Sequence, residues 1–493
     1  MERKSGILLP VSALPGPYGI GTFGREAYAF ADFLHDAGMS YWQMLPLNPT
    51  DFANSPYASP SAFAGDPNYI DPELLAEDGL LTPEEVGLFA VPGDARRAAY
   101  DVLRTSRLSL LEKAYRRGYP RDREAVEDFV RENEHWLPDY ALFMALKRHF
   151  GGKPWTEWDE DVRRRDGDAV ARYRTVLCDE VSFFLYVQFL FFRQWNALRD
   201  YIHARGVRII GDMPVYVSLD SADVWAEPQY FRLDEEGQPK EVAGVPPDYF
   251  CADGQLWGNP LYDYGRMAED GYGWWIRRVD GLRRLCDVIR IDHFRGFESY
   301  WSVPRGETTA RNGHWEKGPG MKLVGMLRDW FCGVPFLAED LGILTEEVRQ
   351  LRRDAGFPGM KVLAFAFDPE GNSDYLPHKY ERNCVCYIGT HDNEPVQAWR
   401  RHIPKEELAF AVRYLGLSEE EGYHWGMIRG GMSSAADLFV VQMQDCLGLG
   451  AEARMNAPGT CGGDNWAWRM EKKDASVALA ARLREMNRMY GRL

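Results

Sequence analysis

No apolar stretch in this sequence approaches the ~20 residues that a membrane-spanning helix requires. The longest, 183-FFLYVQFLFF-192, has half that length and reads as a buried helix. The amino terminus, MERKSGILLPVSALPG, starts basic, but Pro10 cuts its apolar run too short for a secretory signal. Cysteine is scarce. The eight thiols, Cys178, Cys251, Cys286, Cys332, Cys384, Cys386, Cys446 and Cys461, show neither the C-x-x-C pairing of a metal site nor a disulfide framework. Cys384 and Cys386 alternate with Val385 and Tyr387 on an expected strand, so they read as reduced core thiols, which suits the cytoplasm. Positive charge is in deficit: 58 Lys+Arg against 74 Asp+Glu leaves a net −16. Neither nucleic acid nor an anionic membrane is therefore an expected partner. There is no glycine-rich phosphate loop, no H-E-x-x-H pattern, no internal repeat and no low-complexity tract. No metal or cofactor is expected.

What is abundant is aromatic: 16 Trp and 25 Tyr, flat rings that serve equally as core filling and as platforms for sugar faces. Strand-like runs fall at 6–13, 41–48, 207–214, 286–292, 335–340, 360–368, 384–392 and 437–445. Helical patterns at about 25–36, 180–204, 272–285, 321–332, 345–355 and 404–415 alternate with them, and another covers 474–490. Eight strands alternating with helices predict an α/β fold, a (β/α)8 TIM barrel. Two connections are too long to be ordinary loops, so subdomains are inserted after strands 2 and 3. The expected organisation is barrel over 1–48, a largely helical insert over 49–180, barrel over 181–214, an insert with a lid loop over 215–272, and the rest of the barrel over 273–493. Within the first insert, 82-TPEEV-86 carries an N-cap threonine followed by proline in the first helical turn.

Three of the strand-like runs end on carboxylates: 288-VIRIDHFRG-296, 335-PFLAEDLG-342 and 387-YIGTHDNE-394. Side chains alternate along a strand, which puts Val288, Arg290 and Asp292 on one face and Ile289 and Ile291 on the other. The same rule pairs Leu337 with Glu339, and Ile388 and Thr390 with Asp392. In a parallel barrel the C-terminal rim holds the chemistry, so Asp292, Glu339 and Asp392 are expected to converge there. Glycosidic-bond cleavage requires such a set: a carboxylate nucleophile, a carboxylic acid and negative charge near an oxocarbenium-like centre. Arg290, on the same face as Asp292, should hold it ionised for attack; apolar Leu337 and Ala338 should keep Glu339 protonated for use as the acid. Asp340 points to the opposite face. Read without this constellation, Arg290 and Asp292 make a buried ion pair, and Asp392 with Asn393 an Asx turn.

Together with 209-IIGDMPVYV-217, these stretches resemble the sequence regions of the α-amylase clan of glycoside hydrolases. More narrowly, 54-NSPYASPSAFAGDPNYID-71, 244-GVPPDYFCADGQLWGNPLYDY-264 and 455-MNAPGT-460 resemble the 4-α-glucanotransferases of glycoside hydrolase family 77, also called amylomaltases or disproportionating enzymes. The resemblance runs nearly end to end and is weakest over about 80–175. It implies Asp292 as nucleophile, Glu339 as general acid/base and Asp392, beside His391, as transition-state stabiliser. It further implies sugar contacts from Asp212, Ser55, Tyr57, Arg290, His293, His391, Trp257, Asn456 and Asn465. The segment 244–260, with Pro246, Pro247, Tyr249, Phe250 and Trp257, reads either as an aromatic lid or as a plain surface loop.

The implied substrates are maltooligosaccharides and other α-1,4-glucans, whose neutrality makes the net charge irrelevant. The implied reaction is a retaining double displacement, for which the two carboxyls lie about 5–5.5 Å apart. A hydrolase of the same clan uses the same carboxylates, and a catalytically inactive glucan-binding barrel would need only the fold, so both alternatives stay open at this point.

Overall fold

The computed structural model describes residues 2–51, 53–247, 252–342 and 344–493. Twelve strands are present among them: β1 (Lys4–Leu8), β2 (Tyr41–Gln43), β3 (Arg208–Met213), β4 (Glu241–Val245), β5 (Gln255–Pro260), β6 (Val288–Ile291), β7 (Ser299–Pro304), β8 (His314–Lys317), β9 (Phe336–Ala338), β10 (Gly359–Val362), β11 (Cys384–Tyr387) and β12 (Leu438–Gln442). Eight close into a barrel in the order β1-β12-β11-β10-β9-β6-β3-β2, every neighbouring pair parallel. The expected (β/α)8 barrel is the fold.

Alternation sorts the barrel into two layers. Leu8, Ile210, Val288, Leu337, Met360, Val385, Tyr387, Leu438 and Val440 fill the interior as one cluster. Ile7, Ile209, Ile289, Ile291, Cys386, Phe439 and Val441 point outward into the larger core beneath the helices. Branched and aromatic residues are suited to both layers because they pack well on a pleated surface.

The barrel strands stop short of the runs read from sequence, and at β11 this matters. The strand ends at Tyr387, which faces inward, while Ile388 belongs to the outer core. Continued alternation would have turned Asp392 away from the interior with Ile388. Instead a turn intervenes: the Thr390 N–H donates to Asn393 Oδ1 at 2.8 Å, and Asn393 N–H returns to the Thr390 carbonyl at 3.1 Å. The expectation that strand geometry places Asp392 is thereby corrected; turn chemistry does.

Between β2 and β3 the chain forms helices Tyr100–Glu132 and Leu137–His149, which pack on the helix Cys178–Ala204 that leads into β3. No single helix among the described residues is long and apolar enough to cross a membrane. The helix at Pro83 has the expected start, Thr82 and Glu85 forming a reciprocal capping box. The apolar run 183–192 hides a polar device. Gln188 accepts from the Gly65 N–H at 2.8 Å and donates to the Gly65 carbonyl at 2.9 Å. One turn and a half further on, Gln194 does the same to Asp71, at 2.7 and 3.0 Å. Gly65 must lack a side chain here, because a Cβ would meet the Phe191 ring at 2.2 Å. These two amides fasten the connection after β2 to the helix, and that connection carries Tyr57 to the barrel mouth.

A second sheet, β5-β4-β7-β8, is antiparallel throughout. It joins the hairpin after β3 to a hairpin from the loop after β6. Trp257 lies on β5, whereas Tyr249 and Phe250 of the expected lid lie outside the described residues.

Replacing Gln188 by leucine keeps the volume but strands a buried N–H and a buried carbonyl of Gly65, at about 1–3 kcal/mol each. A lower thermal midpoint for Gln188→Leu, measured by circular dichroism, is the expected outcome; a midpoint equal to wild type would refute the clamp.

Candidate active site

The site starts from a register. In the β3–β6 pair Asp212 lies opposite Arg290, and both side chains point into the barrel, almost wholly buried. A buried guanidinium must be paired. Arg290 Nη1 lies 2.7 Å from each oxygen of Asp212 and 3.0 Å from Asp292 Oδ1. These carboxylates hold Arg290 charged, raising its pKa against the pull of burial.

Asp292 follows directly on the end of β6, and its side chain keeps 29% of its surface open to the mouth. The chain then turns sharply: His293 adopts φ 50°, a left-handed conformation uncommon for a non-glycine residue and costing of order 1–3 kcal/mol. That turn aims the His293 N–H at Glu339 Oε2, 2.7 Å away, and the other oxygen accepts from Leu341 N–H at 2.9 Å. Backbone bonds from Asp292 N–H to the Met213 carbonyl, Glu339 N–H to the Ile291 carbonyl and Phe294 N–H to the Glu339 carbonyl, each 3.0 Å, carry the ladder one step beyond the strands. Asp292 and Glu339 thus stand on adjacent strands at the same level. Asp340 faces away: its Oδ1 accepts from Met360 N–H at 2.7 Å and its Oδ2 pairs with Arg352 at 3.1 Å.

Burial raises both the Asp292 and the Glu339 carboxyl, with Arg290 opposing each shift; nearby carboxylates add to it. Arg290 acts on Asp292 in the expected direction, lowering its pKa, but it is shared with Asp212 and opposed by the larger effect of burial. Burial and mutual proximity thus shift both carboxyls toward the protonated form, and two interacting carboxyls titrate as a pair. Arg290 in direct contact with Asp292 favours the arrangement with the proton on Glu339.

On the opposite side of the mouth, Tyr57 OH lies 2.8 Å from Asp212 Oδ2 and 3.0 Å from His391 Nε2, its ring stacked on the His391 ring at 5.3 Å. Burial and Asp212 push the Tyr57 pKa up and burial pulls that of His391 down, so Tyr57 keeps its proton and gives it to Asp212. His391 must then donate through Nε2–H. The same nitrogen is 3.4 Å from Asp392 Oδ1, which also accepts from Asn456 Nδ2 at 2.6 Å. One continuous chain of contacts therefore joins Asp292, Arg290, Asp212, Tyr57, His391, Asp392 and Asn456, with Glu339 on the strand beside Asp292. A cleft lined by Asn48, Tyr57, Asp212, Tyr216 and Ser218 opens beside it.

The other expected contacts divide. Trp257 stands at the mouth, edge-on to His293 at 4.8 Å, and His293 itself is neutral, its pKa pushed down to about 3 by burial. Ser55 sits one step back, its Oγ accepting from Tyr57 N–H at 3.3 Å, so it shapes the turn that presents Tyr57. Asn465 is further back still: its amide is committed to Ala457 N–H at 3.0 Å and to Thr460 Oγ1 at 2.9 Å. It holds the loop that carries Asn456. Three neighbours escaped the sequence reading. Tyr216 and Trp466 line the mouth as ordinary aromatics in loop sequence, and Arg454 stands immediately before 455-MNAPGT-460; only that adjacency pointed to it.

The sequence model of the 4-alpha-glucanotransferases, glycoside hydrolase family 77, matches residues 9–475. The chain belongs to that family. Among 4-alpha-glucanotransferases, it is 47% identical to that of Thermus thermophilus over 100% of both chains, and 45% identical to that of Clostridium butyricum over 98% of this chain and 99% of that one. The amylomaltase of Streptococcus agalactiae, solved in complex with acarbose, superposes with a TM-score of 0.97 at 40% identity, each chain covered completely. The amylomaltase of Corynebacterium glutamicum shares the fold at 20% identity, with a TM-score of 0.79 over 99% of this chain and 74% of that one. This 4-alpha-glucanotransferase site has a testable proton inventory. Asp212 raises the Asp292 pKa and competes for Arg290, so Asp212→Asn removes a repulsion and frees a cation for Asp292. Both effects lower the pKa of the pair. The variant is expected to turn over more slowly, with both limbs of its kcat/KM profile displaced to lower pH; limbs that stay in place or move up would show that Asp212 does not tune the pair.

Proposed function

We propose that the chain transfers a segment of an α-1,4-glucan to the 4-hydroxyl of an acceptor glucan or of glucose, in two displacements that retain the anomeric configuration. The observation that carries this is the shared rim level of Asp292 and Glu339, one contacted by Arg290 and the other held by two backbone N–H groups. In the first displacement Asp292 attacks the anomeric carbon while Glu339 gives its proton to the departing glycosidic oxygen, forming a glycosyl–Asp292 ester. In the second, Glu339 as carboxylate takes the proton from the acceptor 4-hydroxyl, which attacks the same carbon and releases Asp292. Asp392 and His391 face the sugar as hydrogen-bonding partners for ring hydroxyls, and Asp392 adds negative charge near the developing oxocarbenium ion. Trp257 and Tyr57 supply flat apolar faces beside it. Every proton taken is returned within the cycle, and each step falls to a side chain of this protein.

The choice of a glucan hydroxyl over water rests on family membership, because the same carboxylates serve transfer and hydrolysis alike. Cytoplasmic residence is proposed from the buried thiols Cys286, Cys384, Cys386 and Cys446, which pack as small apolar groups.

Incubation with maltotriose alone is expected to yield glucose and a ladder of longer maltooligosaccharides at a constant number of reducing ends; reducing ends that climb steadily would make the enzyme a hydrolase. The roles of the carboxylates separate with α-maltosyl fluoride, whose leaving group needs no proton. Glu339→Gln should lose about 10²–10⁴-fold on maltotriose yet still form the ester from the fluoride, detectable by mass spectrometry. Asp292→Asn should form no ester from either donor, and an ester appearing on that variant would move the nucleophile elsewhere.

A further inference from the structure

Asp392 is the one carboxylate of the site that no strand holds. Asp212 lies within β3, and the backbones of Asp292 and Glu339 bond across the barrel ladder, whereas Asp392 follows the end of β11 by five residues and a turn. What grips it comes from the far side of β12. Arg454 spreads its guanidinium over three acceptors: Nη2 donates to the Asp392 carbonyl at 2.8 Å, Nε to the Asn456 carbonyl at 2.7 Å, and Nη1 to Glu394 Oε1 at 3.4 Å. Asn456 in turn donates its amide Nδ2 to Asp392 Oδ1 at 2.6 Å and its N–H to the His391 carbonyl at 3.1 Å.

We infer that Arg454 is a positioning residue for Asp392. The inference rests on the proposed role of Asp392 and deepens it. A planar fork of donors with fixed spacing sets the separation of the two backbones, those of residues 392 and 456, between which the Asn456–Asp392 hydrogen bond is made. The guanidinium reaches the main-chain oxygen of Asp392 and leaves the carboxylate alone, so it fixes the direction of that charge while leaving both oxygens to Asn456, His391 and the sugar. Arg290 acts differently, since it contacts the carboxylates themselves. Glu394, which pairs with Arg454 and also lies 2.8 Å from His402 Nδ1, orients the fork from behind.

The test combines Arg454→Ala, Arg454→Lys and Asp392→Asn, each measured on maltotriose and by calorimetric titration with acarbose. Misplacing a reacting group by about 1 Å costs on the order of 10²-fold, so Arg454→Ala should lose about that much in kcat with donor KM little changed, and should bind acarbose more weakly. In the Asp392→Asn background the same substitution should weaken acarbose binding no further, an absence of additivity that general loosening of the fold would not produce. Losses that simply add, or an Arg454→Ala enzyme with wild-type kcat, would overturn the inference. Should Arg454→Ala not fold, Arg454→Lys decides by the same cycle, because it keeps the charge and loses the fork; full activity there refutes the role. Full activity in Asp392→Asn would instead discard the role of Asp392 and this inference with it, whereas loss there alone discards only the part of Arg454.

Discussion

A single guanidinium buried in the barrel sets the terms for everything at its mouth. Arg290 is almost wholly shut off from bulk water, so its charge must be met from within, and the register of β3 against β6 supplies Asp212 for that purpose. Asp292 is a second claimant on the same nitrogen. Two carboxylates around one cation, with Glu339 on the next strand and Asp392 across the opening, leave an excess of negative charge in a confined space. That excess adds to burial in favouring the protonated form of Asp292 and Glu339, the direction an acid needs.

The same economy of protons extends to the far wall. Tyr57 has one hydrogen to offer and Asp212 takes it, which decides the tautomer of His391: its Nε2–H donates to the Tyr57 oxygen, with Asp392 next to it. Polar groups that number more than the protein can satisfy individually are satisfied in sequence, each partner fixing the next. The connection from Asp292 to Asn456 is thus one path of hydrogen bonds and close polar contacts, built from the ends of β3, β6 and β11, the segment after β12 and the loop that Gln188 and Gln194 fasten down.

Much of this was legible in the letters. The period of two in 288-VIRIDHFRG-296 and 335-PFLAEDLG-342 located the inward faces because both runs remain paired, or nearly so, up to their carboxylates. It failed for 387-YIGTHDNE-394 because alternation describes side chains only while a ladder runs, and Gly389 with the Thr390–Asn393 turn ends the ladder first. Residues whose partners lie far off in sequence were the hardest to read. Gln188 sits inside an apolar run and looks like an interruption until Gly65 is beside it; Arg454 looks like an ordinary surface arginine until the loop of Asp392 folds over it. Ser55 and Asn465 stand out in the sequence only for their place in recognisable motifs; their hydrogen bonds add that they shape the loops that carry Tyr57 and Asn456.

The small antiparallel sheet has a mechanical corollary. β4 is laced to β7 along four consecutive residue pairs, and β7 begins seven residues after Asp292, so the strand carrying Trp257 is tied through β4 to the segment that follows Asp292. Any displacement of β4 and β5 therefore pulls on the polypeptide leaving Asp292, so the Trp257 side of the mouth and the end of β6 move as one body.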